Sequence, residues 1–219
     1  MIFSKGEIIA FNSILDSKEI PGIKINMPPP SEYNQMIMDV QSSFREKRIV
    51  DENGKLTYMA VLPIRSLDDY KAAGHYLYFN DMRISFNKDK SITIIKKLGG
   101  DSYDMLRMNR DFLFLDILKQ CDYLCGAYEP APQCLSKETM SYQEWENTIS
   151  DVRIEDILAL RNVDDVKEED VFVFYWKGSE GYVYDLENKE RTALGSRNMR
   201  IAIAKRLGYD IEGGDEYVW

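Results

Sequence analysis

From His75 to Met108 the chain carries four short runs of strand character, HYLYF, MRISF, SITIIKKL and SYDMLRM, separated by two to four residues. A parallel crossover takes about a dozen residues or more, so neighbouring runs can pair only in antiparallel order. Lys88-Asp89-Lys90 and Gly99-Gly100-Asp101 read as hairpin loops. Side chains alternate in HYLYF and MRISF, and SITIIKKL carries Ile92, Ile94 and Lys96 on one face and Thr93, Ile95 and Lys97 on the other. An apolar segment, RDFLFLDIL, follows, with Asn109 as N-cap and Phe112, Leu115, Ile117 and Leu118 as the residues of a helix. His75–Gln120 therefore reads as one compact sheet-plus-helix block.

A similar block returns near the C-terminus, where VFVFYW, GYVYDL and ERTAL lead from Asp170 into SRNMRIAIAKRL, with Gly208 ending the helix. Aligned by their final helices, the blocks place Asn109 opposite Ser196 and SITII opposite GYVYD. The pattern predicts an α+β fold, a largely antiparallel sheet flanked by helices. It predicts a single domain over 1–219 with two pseudo-symmetric halves, 1–125 and 135–219. Cys121 to Met140, with no sustained period, is the expected connection between them.

Helices precede and separate the blocks. Ser4 and Glu7 form a capping box, in which hydroxyl and carboxylate satisfy backbone donors reciprocally; Ile8, Phe11, Ile14 and Leu15 follow at helical spacing, with an end near Ser17. Ile20-Pro21-Gly22 and Met27-Pro28-Pro29-Pro30 enclose an extended link. Ser31 is the expected cap of a second helix whose buried stripe is Tyr33, Met36, Ile37, Val40 and Phe44. Leu56–Leu62 reads as a helix capped by Thr57 and broken before Pro63, and Ser66–Ala73 as a helical turn closed by Gly74. Ser141 and Glu144 form a second capping box opening a helix through Ile149, and Ile154–Leu160 reads as another short helix. The tail GYDIEGGDEYVW is acidic with an apolar end.

The candidate chemistry is sparse. His75 is the one histidine and opens a strand, where ordinary strand-end hydrogen bonds account for it better than a general base with acidic partners. Cys121, Cys125 and Cys134 lack the fourth ligand and tight pairs of a zinc site, and read as buried or incidental thiols. Gly99-Gly100 and Gly213-Gly214 are turn or tail glycines, and neither a phosphate loop nor a Gly-x-Ser-x-Gly elbow occurs. The acidic groups Asp68-Asp69, Asp164-Asp165 and Glu168-Glu169-Asp170 fall in loops or helix starts, where water and the helix dipole favour them. The strand aromatics Tyr76, Tyr78, Phe79, Phe172, Phe174, Tyr175, Trp176, Tyr182 and Tyr184 read first as sheet core, with any that face outward forming a protein-binding face. Trp176-Lys177-Gly178 and the pair Tyr142/Glu146 have the forms Trp-x-Gly and Tyr-x-x-x-Glu of type VII secretion substrates. The first, however, sits at a strand-to-turn junction rather than between two helices, so the substrate reading fails. No catalytic, cofactor-binding or metal-ligating residue is expected.

A net charge of −9, from 37 acidic and 28 basic side chains, opposes non-specific binding to nucleic acid or an anionic membrane. MIFSKGEIIAFNSILDS is too short and interrupted for a signal peptide, no run of about 18 apolar residues spans a membrane, and an odd number of cysteines fits a reducing compartment. The expectation is a cytoplasmic protein.

Three segments carry a family likeness: the first helix GEIIAFNSIL, the proline-bearing link EIPGI, and the second helix running into FREKRIVDENGKLT, followed by the strand run and the helix after Asn109 as far as Leu118. In these the chain resembles the EspG family of type VII (ESX) secretion chaperones and their relative EsaE. The resemblance implies an EspG-like fold and a non-enzymatic cytosolic adaptor, free of cofactors. It would bind a secretion substrate, of WXG100 or LXG type, and escort it to the machinery, including the secretion ATPase. An immunity protein that neutralises a toxin by direct binding is the alternative, and a hydrolase built on His75 a second.

Overall fold

A computed structural model describes residues 1–16, 18–24, 26–79, 81–128, 137–162, 170–207 and 209. In chain order the elements are β1 (Ile2–Ser4), α1 (Lys5–Leu15), α2 (Pro30–Glu46), a 3-10 turn (Tyr58–Ala60), α3 (Val61–Lys71), β2 (His75–Phe79), β3 (Met82–Phe86), β4 (Ser91–Lys97) and β5 (Ser102–Asn109). Then come α4 (Asp111–Gln120), α5 (Asp122–Cys125), β6 (Glu138–Thr139), α6 (Tyr142–Ser150), a 3-10 turn (Ile154–Asp156), β7 (Ile157–Asn162), β8 (Asp170–Lys177), β9 (Glu180–Asp185), β10 (Glu190–Ala193) and α7 (Ser196–Arg206). The class is α+β with antiparallel sheet, as expected, and the four strands of the first block fall where the sequence places them.

Two compact units divide the chain: Met1–Ala73 with Asp81–Met108, and Gly74–Asn80 with Asn109–Trp219. The His75–Gln120 block is therefore not one unit. Its first strand and its helix belong with the C-terminal elements.

In unit 1, β3 pairs antiparallel with β4, Met82 opposite Lys96 through Phe86 opposite Ile92, and β5 follows on the other side of β4. Strand β1 closes the edge on β5, Phe3 opposite Tyr103. Helix α1 starts from the capping box read in the sequence: Ser4 Oγ accepts the Glu7 N–H at 3.2 Å, and Glu7 Oε2 accepts the Ser4 N–H at 2.7 Å. The Glu7 carboxylate is 1% exposed and also takes the Lys47 ammonium at 2.7 and 2.8 Å and the Ser43 hydroxyl at 3.0 Å, both from the C-terminal end of α2. One acidic side chain thus caps α1 and ties it to α2. Beneath it, Phe11 meets the edge of Phe3 at 5.1 Å and stacks on Phe44 at 5.0 Å. Tyr70 of α3 donates its hydroxyl to the Pro21 carbonyl at 2.7 Å, which pins the proline link to the core.

In unit 2 the strand order is β2-β7-β8-β9-β10-β6, every pair antiparallel. Leu77, Phe79, Leu158, Phe174 and Tyr184 are buried in this sheet, with Met199 and Ile203 of α7 in the same core. Tyr123 of α5 stacks between Tyr128 and Trp176 and donates its hydroxyl to the Leu194 carbonyl at 2.6 Å. A Cβ on Gly181 would lie 2.5 Å from the Tyr123 ring, so only glycine lets β9 pass under it.

Several sequence expectations give way. Ser31 does not cap α2: the helix begins at Pro30, whose fixed φ suits the first helical position and whose missing N–H costs nothing there. Thr57 caps as read, accepting the Met59 N–H, but α3 runs through Pro63, which falls in the first turn where N–H groups lack intrahelical acceptors. Helix α3 ends on Ala72, not Gly74. Ile154–Leu160 is a 3-10 turn and a strand: Leu158 and Leu160 are buried at period two, and β7 has partners on both edges, which overrides a weak helical pattern. Among the described side chains of α4, Leu113 and Ile117 are buried and Leu118 is half-buried, while Phe112 and Leu115 face solvent. Asn109 ends β5 and accepts the Asp111 N–H one residue ahead of the cap position. The second capping box, Ser141 with Glu144, and the four elements from Asp170 to Arg206 stand as read. Gly208 and the tail after Tyr209 lie outside the described residues, as does Ser17.

Candidate protein-binding surfaces

Helix α2 carries a regular apolar stripe in the sequence, yet of that stripe only Phe44 is buried; Met36 and Val40 are half-buried, and Tyr33 and Ile37 are exposed. The cause lies at Gly6. A Cβ there would meet Val40 at 2.9 Å and Met36 at 3.0 Å, so α1 and α2 approach most closely near this glycine. On the C-terminal side of the crossing the helices share the Phe11–Phe44 stack. A groove of about 610 Å³ lies between α1, the proline link and Tyr33 of α2, lined by the apolar Ile9, Ile20, Ile23 and Met27 and the polar Asn12, Ser13, Lys18, Glu19, Lys24 and Asn26. Ile14, Ile37 and Met38, the last 64% exposed, are further uncovered apolar side chains of the two helices. Sequence periodicity locates Tyr33 and Ile37 but assigns them to a buried stripe.

A second apolar surface lies where the 3-10 turn enters α3. Tyr58, Val61 and Leu62 are 83%, 61% and 60% exposed. They border a shallow groove of about 540 Å³ with Arg65, Asp89 and Arg107. Arg107 binds Asp69 at 2.5 Å and Asp89 at 2.7 Å, and Asp89 also accepts from the Ser91 N–H and hydroxyl, which together with Arg107 hold its carboxyl below the usual range.

The residues singled out for chemistry scatter. His75 opens β2, exposed, in register with Asn162. Asp68 is exposed and Asp69 is ion-paired. Asp164, Asp165, Glu168 and Glu169 lie outside the described residues, as do Cys134 and Gly213-Gly214; Gly100 is a turn glycine with φ +72°. Among the described residues no group of three or more potential ligands is placed to hold a metal ion, and no helix is long and apolar enough to cross a membrane. The strand aromatics do not form an open face. Most are core, Arg206 covers Phe172 at 3.2 Å, and Tyr182 lies between Tyr175 and Arg191. Trp176 is buried, with Gly178 in the turn after its strand, and Tyr142 on α6 has its phenol held above the usual range by the Glu146 carboxylate.

Cys121 is buried, and that burial pushes its thiol up to about 12, whereas Cys125 is exposed with its Sγ 2.8 Å from the Leu118 carbonyl. Because the thiolate is the reactive form, iodoacetamide at pH 8 is expected to modify Cys125 in the folded chain and Cys121 only after unfolding. Peptide mass mapping of the two sites checks this, and equal labelling rates would contradict the burial of Cys121.

Charge is partitioned unevenly. Unit 1 holds 15 basic and 14 acidic side chains, unit 2 holds 13 and 23. Exposed apolar stripes on helices with charged borders are candidate surfaces for contact with another protein. Among curated proteins none matches the sequence. Residues 2–194 match the family described as a domain of unknown function, DUF5081, and the chain belongs to that family.

Proposed function

We propose that the protein is a non-enzymatic cytoplasmic adaptor that binds the helical part of a secretion substrate, of WXG100 or LXG type, and escorts it to a type VII secretion machine. The observation that supports this reading is the open α1/α2 groove beside a helix whose apolar stripe stays uncovered over two turns. A helix laid in such a groove and along the Tyr33–Ile37 face of α2 gains the burial that these two side chains lack in the free chain. The likeness of the first helix, the proline link and the second helix to EspG and EsaE chaperones falls on the elements that form the groove, and the same likeness is the ground for an EspG-like, pseudo-symmetric fold.

Co-expression with each helical protein encoded beside the gene, followed by size-exclusion chromatography, tests it. We expect co-elution with one of them, and a loss of affinity of about tenfold or more for Tyr33→Asp/Ile37→Asp, with an unchanged thermal melt. Failure of every such neighbour to co-elute would count against the adaptor. The acidic excess of unit 2 favours a second reading, an immunity protein that covers a basic toxin. Stoichiometric neutralisation of a neighbouring toxin would replace the first reading with this one.

A further inference from the structure

Helix α3 has apolar residues on two faces. Pro63, Leu67 and Tyr70 are buried in unit 1, as a surface helix requires. Tyr58, Val61, Leu62 and Arg65, at i, i+3, i+4 and i+7 from the 3-10 turn into the helix, form an outward stripe that no described residue covers. A helix needs one apolar face to join its own core; a second one is a surface for something else. The spacing suits a helix, because ridges of side chains three and four apart pack into the grooves of another helix.

The border of the stripe fixes the chemistry of that helix. Arg65 is exposed, 3.8 Å from Asp69. The β3–β4 hairpin, whose Asp89 lines the same groove, carries Lys88 and Lys90, both exposed. The nearby carboxylates are engaged: Arg107 takes both Asp69 and Asp89, and Ser91 takes Asp89 again. Asp68, exposed one turn beyond Arg65, is the acidic group at the far end. Arg65, Arg107 and the hairpin lysines Lys88 and Lys90 stand against Asp68, Asp69 and Asp89, four positive charges to three negative.

We propose that the outward stripe Tyr58, Val61 and Leu62 docks an amphipathic α-helix of a partner protein whose apolar face is bordered by aspartate or glutamate, the carboxylates meeting Arg65, Lys88 and Lys90. This goes beyond the adaptor reading, since it gives unit 1 a docking face separate from the α1/α2 groove. One protein can be held in the groove while another is met through α3.

The probes are two fluorescent peptides of about 20 residues, long enough to be helical, with the same leucine stripe and either glutamate or lysine along its borders. Anisotropy titrations with the full chain are expected to show the glutamate peptide binding at least tenfold more tightly, a gap that narrows as salt rises from about 0.05 to 0.5 M. Tyr58→Ala and Leu62→Ala each weaken it about tenfold, Arg65→Glu reverses the preference between peptides, and Ile37→Asp on α2 changes nothing. Absence of binding, equal affinity for both peptides, or indifference to Tyr58→Ala overturns the proposal. Binding lost in Ile37→Asp but kept in Tyr58→Ala also overturns it while leaving the groove reading intact. Sedimentation velocity supplies the remaining outcome: a dimer abolished by Tyr58→Glu would assign this face to a second copy of the chain and overturn the partner helix.

Discussion

Replacing Lys47 by methionine is expected to destabilise the protein by about 3 kcal/mol, because it strands the Glu7 carboxylate in the core of unit 1. Removing one member of a buried ion pair costs about 3–5 kcal/mol, and the lower end applies here because the Lys47 side chain is 29% exposed and water reaches its ammonium. Glu7 retains the Ser4 N–H and the Ser43 hydroxyl, but neither carries the compensating charge. The double variant Glu7→Gln/Lys47→Met keeps an oxygen for the capping bond and removes the orphan charge. It should therefore be more stable than Lys47→Met alone. Urea unfolding of the four proteins of this cycle measures the coupling. A single-variant loss under about 1 kcal/mol would show that the pair is solvated and the tie between α1 and α2 is weak.

Phe11→Ala is expected to cost more, about 3–5 kcal/mol, the range for deleting a buried aromatic side chain. Its ring is fully buried between the edge of Phe3 and the face of Phe44, one from the sheet edge and one from α2, so truncation opens a cavity that three elements would have to close. Tyr58→Ala makes the contrast: an aromatic of similar size but 83% exposed should alter stability by no more than about 0.5 kcal/mol. Thermal melts of both variants check the pair. A large loss for Tyr58→Ala would mean that its ring supports the fold.

Where an element was legible in the sequence, its signal was local. Both capping boxes were readable because the reciprocal bonds span three residues, and the hairpin strands because their loops are too short for any other connection. Misreadings arise where distant partners decide. Ile154–Leu160 has an apolar pattern that a helix or a strand could use, and only the presence of β2 and β8 on either side makes it a strand. The stripe on α2 is readable by period, but which of its residues are covered is set by a tertiary contact, Gly6 of α1 lying against Met36 and Val40, the latter 34 residues away in the chain. The Lys47 partner of Glu7 is likewise set by tertiary approach. The α3 surface was missed for a different reason: Pro63 suggested a break, which hid the continuity of Tyr58, Val61, Leu62 and Arg65 along one helical face.

Strand β2 has a consequence in time as well as in space. It pairs with β7, Phe79 opposite Leu158, so the mate of β2 is synthesised roughly 80 residues later, an interval of about 4–16 s on the ribosome. Throughout that interval an apolar segment with Tyr76, Leu77 and Phe79 has left the exit tunnel while its β7 edge stands open. Unit 1 is interrupted by the same strand, so a chain stopped at Met108 would carry that open edge permanently. Vectorial synthesis thus leaves the nascent chain with an uncovered apolar strand edge until β7 arrives to close it.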